Sequence, residues 1–271
     1  MTTQKENHLF GQQRRETLLE QPTGMALQQQ NGVVIPTGIP GFDESIGQGL
    51  PAGNLYLVSG SIDSTSHLLV QQILYNRIIS KQKVAYYTVE NSSTDVIKDM
   101  DLFGMNIQKY VDEGSWKFMR LIPPKTKKVM DSLPEVPMEQ RVDLDETFTS
   151  LMNNFHDTVK DGASTALHLP SLVRNFSLDE IRNLLLYMTG TIRTFGGIHF
   201  LMLTEGAHEQ NVAVTIKDGV DSVFDISSTT RGKEVESSLY IQKIRGVLPK
   251  MRTIKLTQRK DGLATETIRR V

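Results

Sequence analysis

The chain repeatedly sets a short apolar run before a longer segment whose apolar residues recur at helical spacing. That alternation restricts its fold more than any other feature. Asn54 to Ser59 suits a strand buried on both faces, and Leu68, Leu69, Ile73, Leu74, Ile78 and Ile79 then recur with helical period. Val84 to Val89 reads as the next strand, with a helix near Thr94 to Leu102 that Gly104 closes, and Trp116 to Ile122 as a third strand. The proline-rich stretch Pro123 to Val142 reads as a surface loop. A helix near Asp145 to Lys160, a strand Ser164 to Leu169, a helix Leu178 to Phe195 and a strand Ile198 to Leu203 follow. Ser177 with Glu180 three residues on has the form of a capping box. Strands separated by helices call for a mainly parallel sheet with right-handed crossovers. After Ile216 the pattern changes to short strands, Val220 to Ile226, Ser238 to Ile244, Arg252 to Gln258 and Ala264 to Ile268, with hairpin turn residues at Lys260-Asp261-Gly262. The expected architecture is an α/β three-layer fold, a mainly parallel sheet flanked by helices with an antiparallel C-terminal β extension. Residues 1–32, polar and glutamine-rich, read as a disordered tail, and 33–271 as one domain.

The turn between the first strand and its helix, Gly60-Ser-Ile-Asp-Ser-Thr-Ser-His67, sits where a phosphate-binding loop of the form G-x-x-x-x-G-K-S/T would stand. Such a loop needs glycine where backbone N–H groups approach phosphate, a lysine for the outer phosphates and a hydroxyl for magnesium. Gly60 is kept, but Thr65 replaces the second glycine, Ser66 the lysine and His67 the hydroxyl, while Asp63 adds a negative charge. One unit-charge interaction at ~4 Å and an effective dielectric of ~20 is worth ~4 kcal/mol. Losing such an attraction while adding a repulsion removes tight triphosphate binding in this mode. The plain reading of Ser64-Thr65-Ser66 is a polar cluster at a helix N-cap.

Composition closes other routes. There is no cysteine, so thiol nucleophiles and zinc-thiolate sites are excluded, and the absence fits a reducing, cytoplasmic setting. A net charge of -1 gives no global footprint for nucleic acid. The basic run Lys250 to Lys260 is a local exception, read first as a solvated strand face. No apolar run approaches the ~20 residues of a membrane span. The scattered His8, His156, His199 and His208 have no metal-site spacing, and no G-x-S-x-G elbow is present.

Several segments taken together resemble a KaiC-like domain of the RecA superfamily. They are Ile35-Pro-Thr-Gly-Ile-Pro-Gly-Phe-Asp43, Gly49-Leu-Pro-Ala-Gly-Asn-Leu-Tyr-Leu-Val-Ser-Gly60, Tyr86-Tyr-Thr-Val-Glu-Asn91, Asp218-Gly-Val-Asp221 and Lys243-Ile-Arg-Gly246. The resemblance implies a RecA-like ATPase core, often assembled as a ring with ATP between subunits. It makes Glu90 the remnant of the water-activating glutamate, against the alternative of a strand-end carboxylate kept for structure. It places His168, or a neighbour, where the magnesium-directing aspartate should end its strand, although a lone histidine in an apolar strand is commonly a satisfied core residue. It makes Lys243 and Arg245 fingers acting in trans on a neighbour's phosphate, against two solvated cations on an edge strand. Three functions follow. The first is a non-catalytic regulatory or scaffolding subunit working through protein contacts, with itself or a KaiC-like paralogue, needing no cofactor and binding ATP or ADP weakly if at all. The second is a subunit that lends Lys243 and Arg245 to an ATP held by a paralogue. The third is a DNA-associated accessory protein.

Overall fold

The structure, a computed structural model, describes residues 32–62, 64–231 and 234–265. The tail assigned to 1–32 lies outside them except for Gly32, as do Asp63 and the last residues of the expected final strand. A two-stranded antiparallel ribbon, β1 (Val34–Ile35) with β2 (Leu50–Pro51), encloses the short helix α1 (Phe42–Ile46). The main sheet uses β3 (Asn54–Gly60), β4 (Val84–Thr88), β5 (Trp116–Ile122), β6 (Glu139–Asp143), β7 (Ser164–His168), β8 (Ile198–Thr204), β9 (Ser222–Arg231), β10 (Glu234–Lys243), β11 (Thr253–Arg259) and β12 (Gly262–Thr265). Their spatial order is β12-β11-β10-β9-β3-β8-β7-β4-β5-β6. From β9 to β6 every pairing is parallel; β10, β11 and β12 add antiparallel strands at one side. The expected three-layer α/β fold with an antiparallel extension is the fold observed.

Side-chain alternation on β3 explains its continuous apolar run. Tyr56 and Val58 pack on one face with Leu69, Ile73 and Phe224, while Leu55 and Leu57 pack on the other with Leu184, Met188 and Ile192. The first face is covered by α2 (Ser66–Ile79), the second by α6 (Thr149–Lys160) and α8 (Leu178–Phe195). Ile79, grouped with the core period, is half exposed at the end of α2. Helix α3 (Ser93–Asp101) follows β4, and a small helix α4 (Gln108–Asp112) precedes β5. Both α3 and α8 start in capping boxes, Ser92 with Asp95 and Ser177 with Glu180. The second was legible in the sequence.

The loop expected over Pro123 to Val142 is partly ordered. It holds a 3-10 turn at Pro124–Thr126, a short helix α5 (Lys127–Met130) and the parallel edge strand β6. Only Val142 of β6 is buried, so the strand carries no hydrophobic period. Backbone pairing to β5 defines it, and the Arg120–Glu139 ion pair at 2.8 Å, with Glu139 4% exposed, anchors its start. The helix read from Asp145 begins at Thr149 instead, because the Asp145 carboxylate accepts the Thr149 and Ser150 N–H groups from outside it. Four helices, α1, α4, α7 (Pro170–Asn175) and α9 (Gln210–Gly219), had no counterpart in the sequence reading.

Candidate functional site

The C-terminal ends of β3, β4 and β7 converge, which is where open parallel sheets bind ligands. The loop from Gly60 to His67 leaves β3, Glu90 stands just beyond β4, and His168 ends β7. The fold therefore brings together the loop, Glu90 and His168, as the resemblance implied.

The loop is closed on itself. The Ser64 N–H donates to the Ser61 carbonyl at 2.9 Å, and the Ser66 N–H points to the Ser64 hydroxyl, which in turn bonds Ser66 Oγ at 3.0 Å. A Cβ added at Gly60 would lie 2.2 Å from Ser64 Oγ and 3.1 Å from the Ile226 carbonyl, so a side chain there would push the serine aside. Thr65 occupies the N-cap position of α2 without a side-chain cap bond, and its buried hydroxyl finds no partner among the described residues. The hydroxyl that faces the first helical N–H is that of Ser64, at 3.4 Å, rather than that of Thr65.

Where a magnesium-binding hydroxyl and an aspartate would face each other, two imidazoles do. The His67 and His168 rings lie 5.1 Å apart between centroids. Burial lowers the His168 pKa to about 4, with His67 adding to the fall and Glu90 opposing it. Burial also lowers His67 against the attraction of Asp99, and burial together with Arg174 lowers His208. All three are neutral at pH 7. The ring that packs against His168 is, among the described residues, a second imidazole. Among the described residues, no group of three or more His, Asp or Glu side chains is arranged to hold a metal.

Glu90 is joined to Arg174 of α7 at 2.5 Å, both side chains about half exposed, and Arg174 also donates to Ser171 Oγ. The cation that balances Glu90 comes from a helix absent from the sequence reading. ATP with magnesium does not fit these residues: two loop N–H groups are used within the loop, no cation from the loop reaches the phosphate position, and His168 offers no charged oxygen.

Lys243 and Arg245 lie at the other end of the sheet, since β10 runs antiparallel to β9 and Lys243 pairs with Val223 near the start of β9. The seven residues of β3 put this end about 20 Å from the loop. The expectation of one shared strand face is corrected. A register shift falls between Ile241 and Lys243, Arg245 follows the end of β10, and β10 is interior, between β9 and β11. The Lys243 ammonium donates to the Asp218 carbonyl at 3.2 Å, and Arg245 pairs with Asp221 at 2.9 Å. Arg193, from the last turn of α8, reaches the same Asp221 oxygen at 3.1 Å, a partner with no signal at sequence level beyond its place near a helix end. The run Lys250 to Lys260 contains β11, whose Ile254 and Leu256 are buried while Lys255 and Arg259 face outward. No helix among the described residues is long and apolar enough to cross a membrane.

Residues 35–265 match the family model described as KaiC ATPase. A circadian clock oscillator protein KaiC from Thermostichus vulcanus is 27% identical over 220 residues, 78% of this chain and 40% of that protein. A UPF0273 protein from Pyrococcus furiosus is 24% identical over 80% of this chain and 87% of its own length. The crystal structure of a KaiC-like protein from Pyrococcus horikoshii OT3 superposes with a TM-score of 0.67 at 18% identity, covering 87% of this chain and 99% of that one. The chain thus spans less than half of the clock protein and most of the two archaeal ones. With the parallel sheet, the strand-loop-helix at Gly60 and the antiparallel close in the same order, this chain belongs to the KaiC family.

Proposed function

We propose that this chain is a non-catalytic KaiC-like subunit that regulates or scaffolds in the cytoplasm through protein contacts, with no cofactor and at most weak binding of ATP or ADP. The observation that carries this reading is the neutral His67–His168 pair, 5.1 Å between rings, in place of a magnesium-binding hydroxyl and an aspartate, next to Ser66 in place of the lysine. Phosphoryl transfer relies almost wholly on positioning and charge stabilisation, so a site without those charges retains little of the catalysis. Exposed Ile62 and Leu102 flank a hollow of about 360 Å³ beside His67, and apolar rims of this kind favour a protein partner over a solvated phosphate. The deciding experiment titrates the purified full chain with ATP and ADP in the presence of magnesium and follows phosphate release. Neither tight binding nor turnover is expected. Robust turnover that Glu90→Gln abolishes would sink the proposal.

A second reading is favoured by the position of Lys243 and Arg245, at the end of the sheet opposite this chain's own loop, where they face a neighbour more readily than their own site. In that reading they serve an ATP bound by a KaiC-like paralogue. Mixing the two proteins should then raise turnover, and Lys243→Ala with Arg245→Ala should remove the gain. A mixture no faster than the paralogue alone excludes it.

A further inference from the structure

We propose that the cleft beside Arg193 and Arg245 is an oxyanion site, complete within one chain, for a small molecule bearing a phosphoryl or carboxylate group. It goes beyond the reading above, because it needs neither a paralogue nor the Gly60–His67 loop.

Asp221 organises the site. One of its oxygens accepts from Arg193 at 3.1 Å and from Arg245 at 2.9 Å, and the other accepts the Leu55 N–H at 3.1 Å. Its side chain is 3% exposed, whereas those of Arg193 and Arg245 are 52% and 56% exposed. Two guanidinium groups therefore converge on a single buried negative charge, and the cluster carries one net positive charge. One arginine would be enough to neutralise Asp221. The second brings a like charge close to the first, an arrangement whose repulsion an added anion relieves and which functional sites characteristically hold.

The guanidinium groups are also held in place. The Asn54 side chain donates to the Arg245 carbonyl at 2.9 Å, and the Arg245 N–H donates to Ser222 Oγ at 3.3 Å, fixing the backbone from which Arg245 projects. Among the described residues each arginine spends one terminal nitrogen on Asp221, which leaves the remaining N–H edges for a ligand. Those edges line a cleft of about 500 Å³ together with Val33, Pro51, Gly53 and Gly246, a size in the range that holds small ligands. The planar fork of arginine matches the oxygen spacing of phosphate and carboxylate alike. Among the described residues Asp221 is the one carboxylate paired with these arginines, and it lies behind them, so an incoming anion meets the cations first.

The test is a nuclear magnetic resonance titration of the full chain, without nucleotide, using inorganic phosphate in one arm and succinate in the other at fixed ionic strength. Saturable binding of at least one anion is expected, and the stronger of the two identifies the group the site prefers. Arg193→Ala and Arg245→Ala should each weaken that binding about 10-fold or more, the loss of one charge-assisted hydrogen bond. Arg193→Ala leaves Asp221 paired with Arg245 and Leu55, so the fold should persist, and circular dichroism checks it. Ser66→Ala, in the distant loop, should leave the affinity unchanged. Failure of both anions to saturate, binding that survives Arg193→Ala in a folded protein, or binding that Ser66→Ala removes would each overturn the proposal.

Discussion

The two ends of the parallel sheet differ in electrostatic character. At the C-terminal end, where a nucleotide site would need cations and carboxylates, the loop has no cation and two neutral imidazoles face each other. At the N-terminal end, Arg193 and Arg245 crowd one buried carboxylate and leave a positive cleft. Burial on both faces of β3 fixes the frame, while the charged groups stand at its rims.

The contrast is broken most forcefully at Asp221. Asp221→Ala leaves two arginines without their shared acceptor and the Leu55 N–H without a side-chain partner; about 3 to 5 kcal/mol should be lost, toward the lower end because the arginines are half exposed. Urea unfolding reads this directly. A cost under 1 kcal/mol would mean that the N-terminal cluster is only a surface pair.

Acid should act next, through one histidine at each end of the sheet. The His168 pKa falls from 6.5 to about 4 on folding, as does that of His199, buried between Thr165 Oγ1 and the Gly196 carbonyl. Because the folded pKa values lie below the unfolded ones, the unfolded chain takes up protons first. The stability these groups contribute is complete above about pH 6.5 and is lost as pH falls toward 4, by at most about 3 kcal/mol per histidine. His168→Asn should flatten part of that slope in thermal melts between pH 4 and 7; an unchanged slope would place the acid sensitivity elsewhere.

A smaller effect separates frame from chemistry. Ser177→Ala removes the cap of α8, the helix that carries Arg193, and should cost about 1 kcal/mol without altering the behaviour of the Gly60–His67 loop. Smallest of all is the Glu90–Arg174 pair. Both side chains are about half exposed, so Arg174→Ala should cost less than about 1 kcal/mol, and its cost should shrink further at high salt. A larger, salt-independent loss would show that Glu90 holds the rim of the site together.

The interior elements were legible because period two and period 3.6 are local properties. Trp116–Ile122 and Leu178–Phe195 stand where the spacing puts them. The strand Glu139–Asp143 was not, because one buried residue in five makes no pattern and its pairing with β5 is a long-range fact. Pro170–Asn175 escaped for the opposite reason. It is a single short turn following a strand end, too brief to show a period, yet it supplies the Arg174 that pairs with Glu90.

Residue identity alone settled that the Gly60–His67 loop holds no lysine, since a missing side chain is a covalent fact that no packing can restore. It also fixed the alternation that demands a parallel sheet. Only the tertiary structure decided that His67 meets His168, that Arg193 joins Arg245 on Asp221, and that the two cations named from the sequence stand at the far end from the loop. Such meetings depend on crossovers and strand register between segments up to about a hundred residues apart, and a charge counted along the chain has no partner until the fold supplies one.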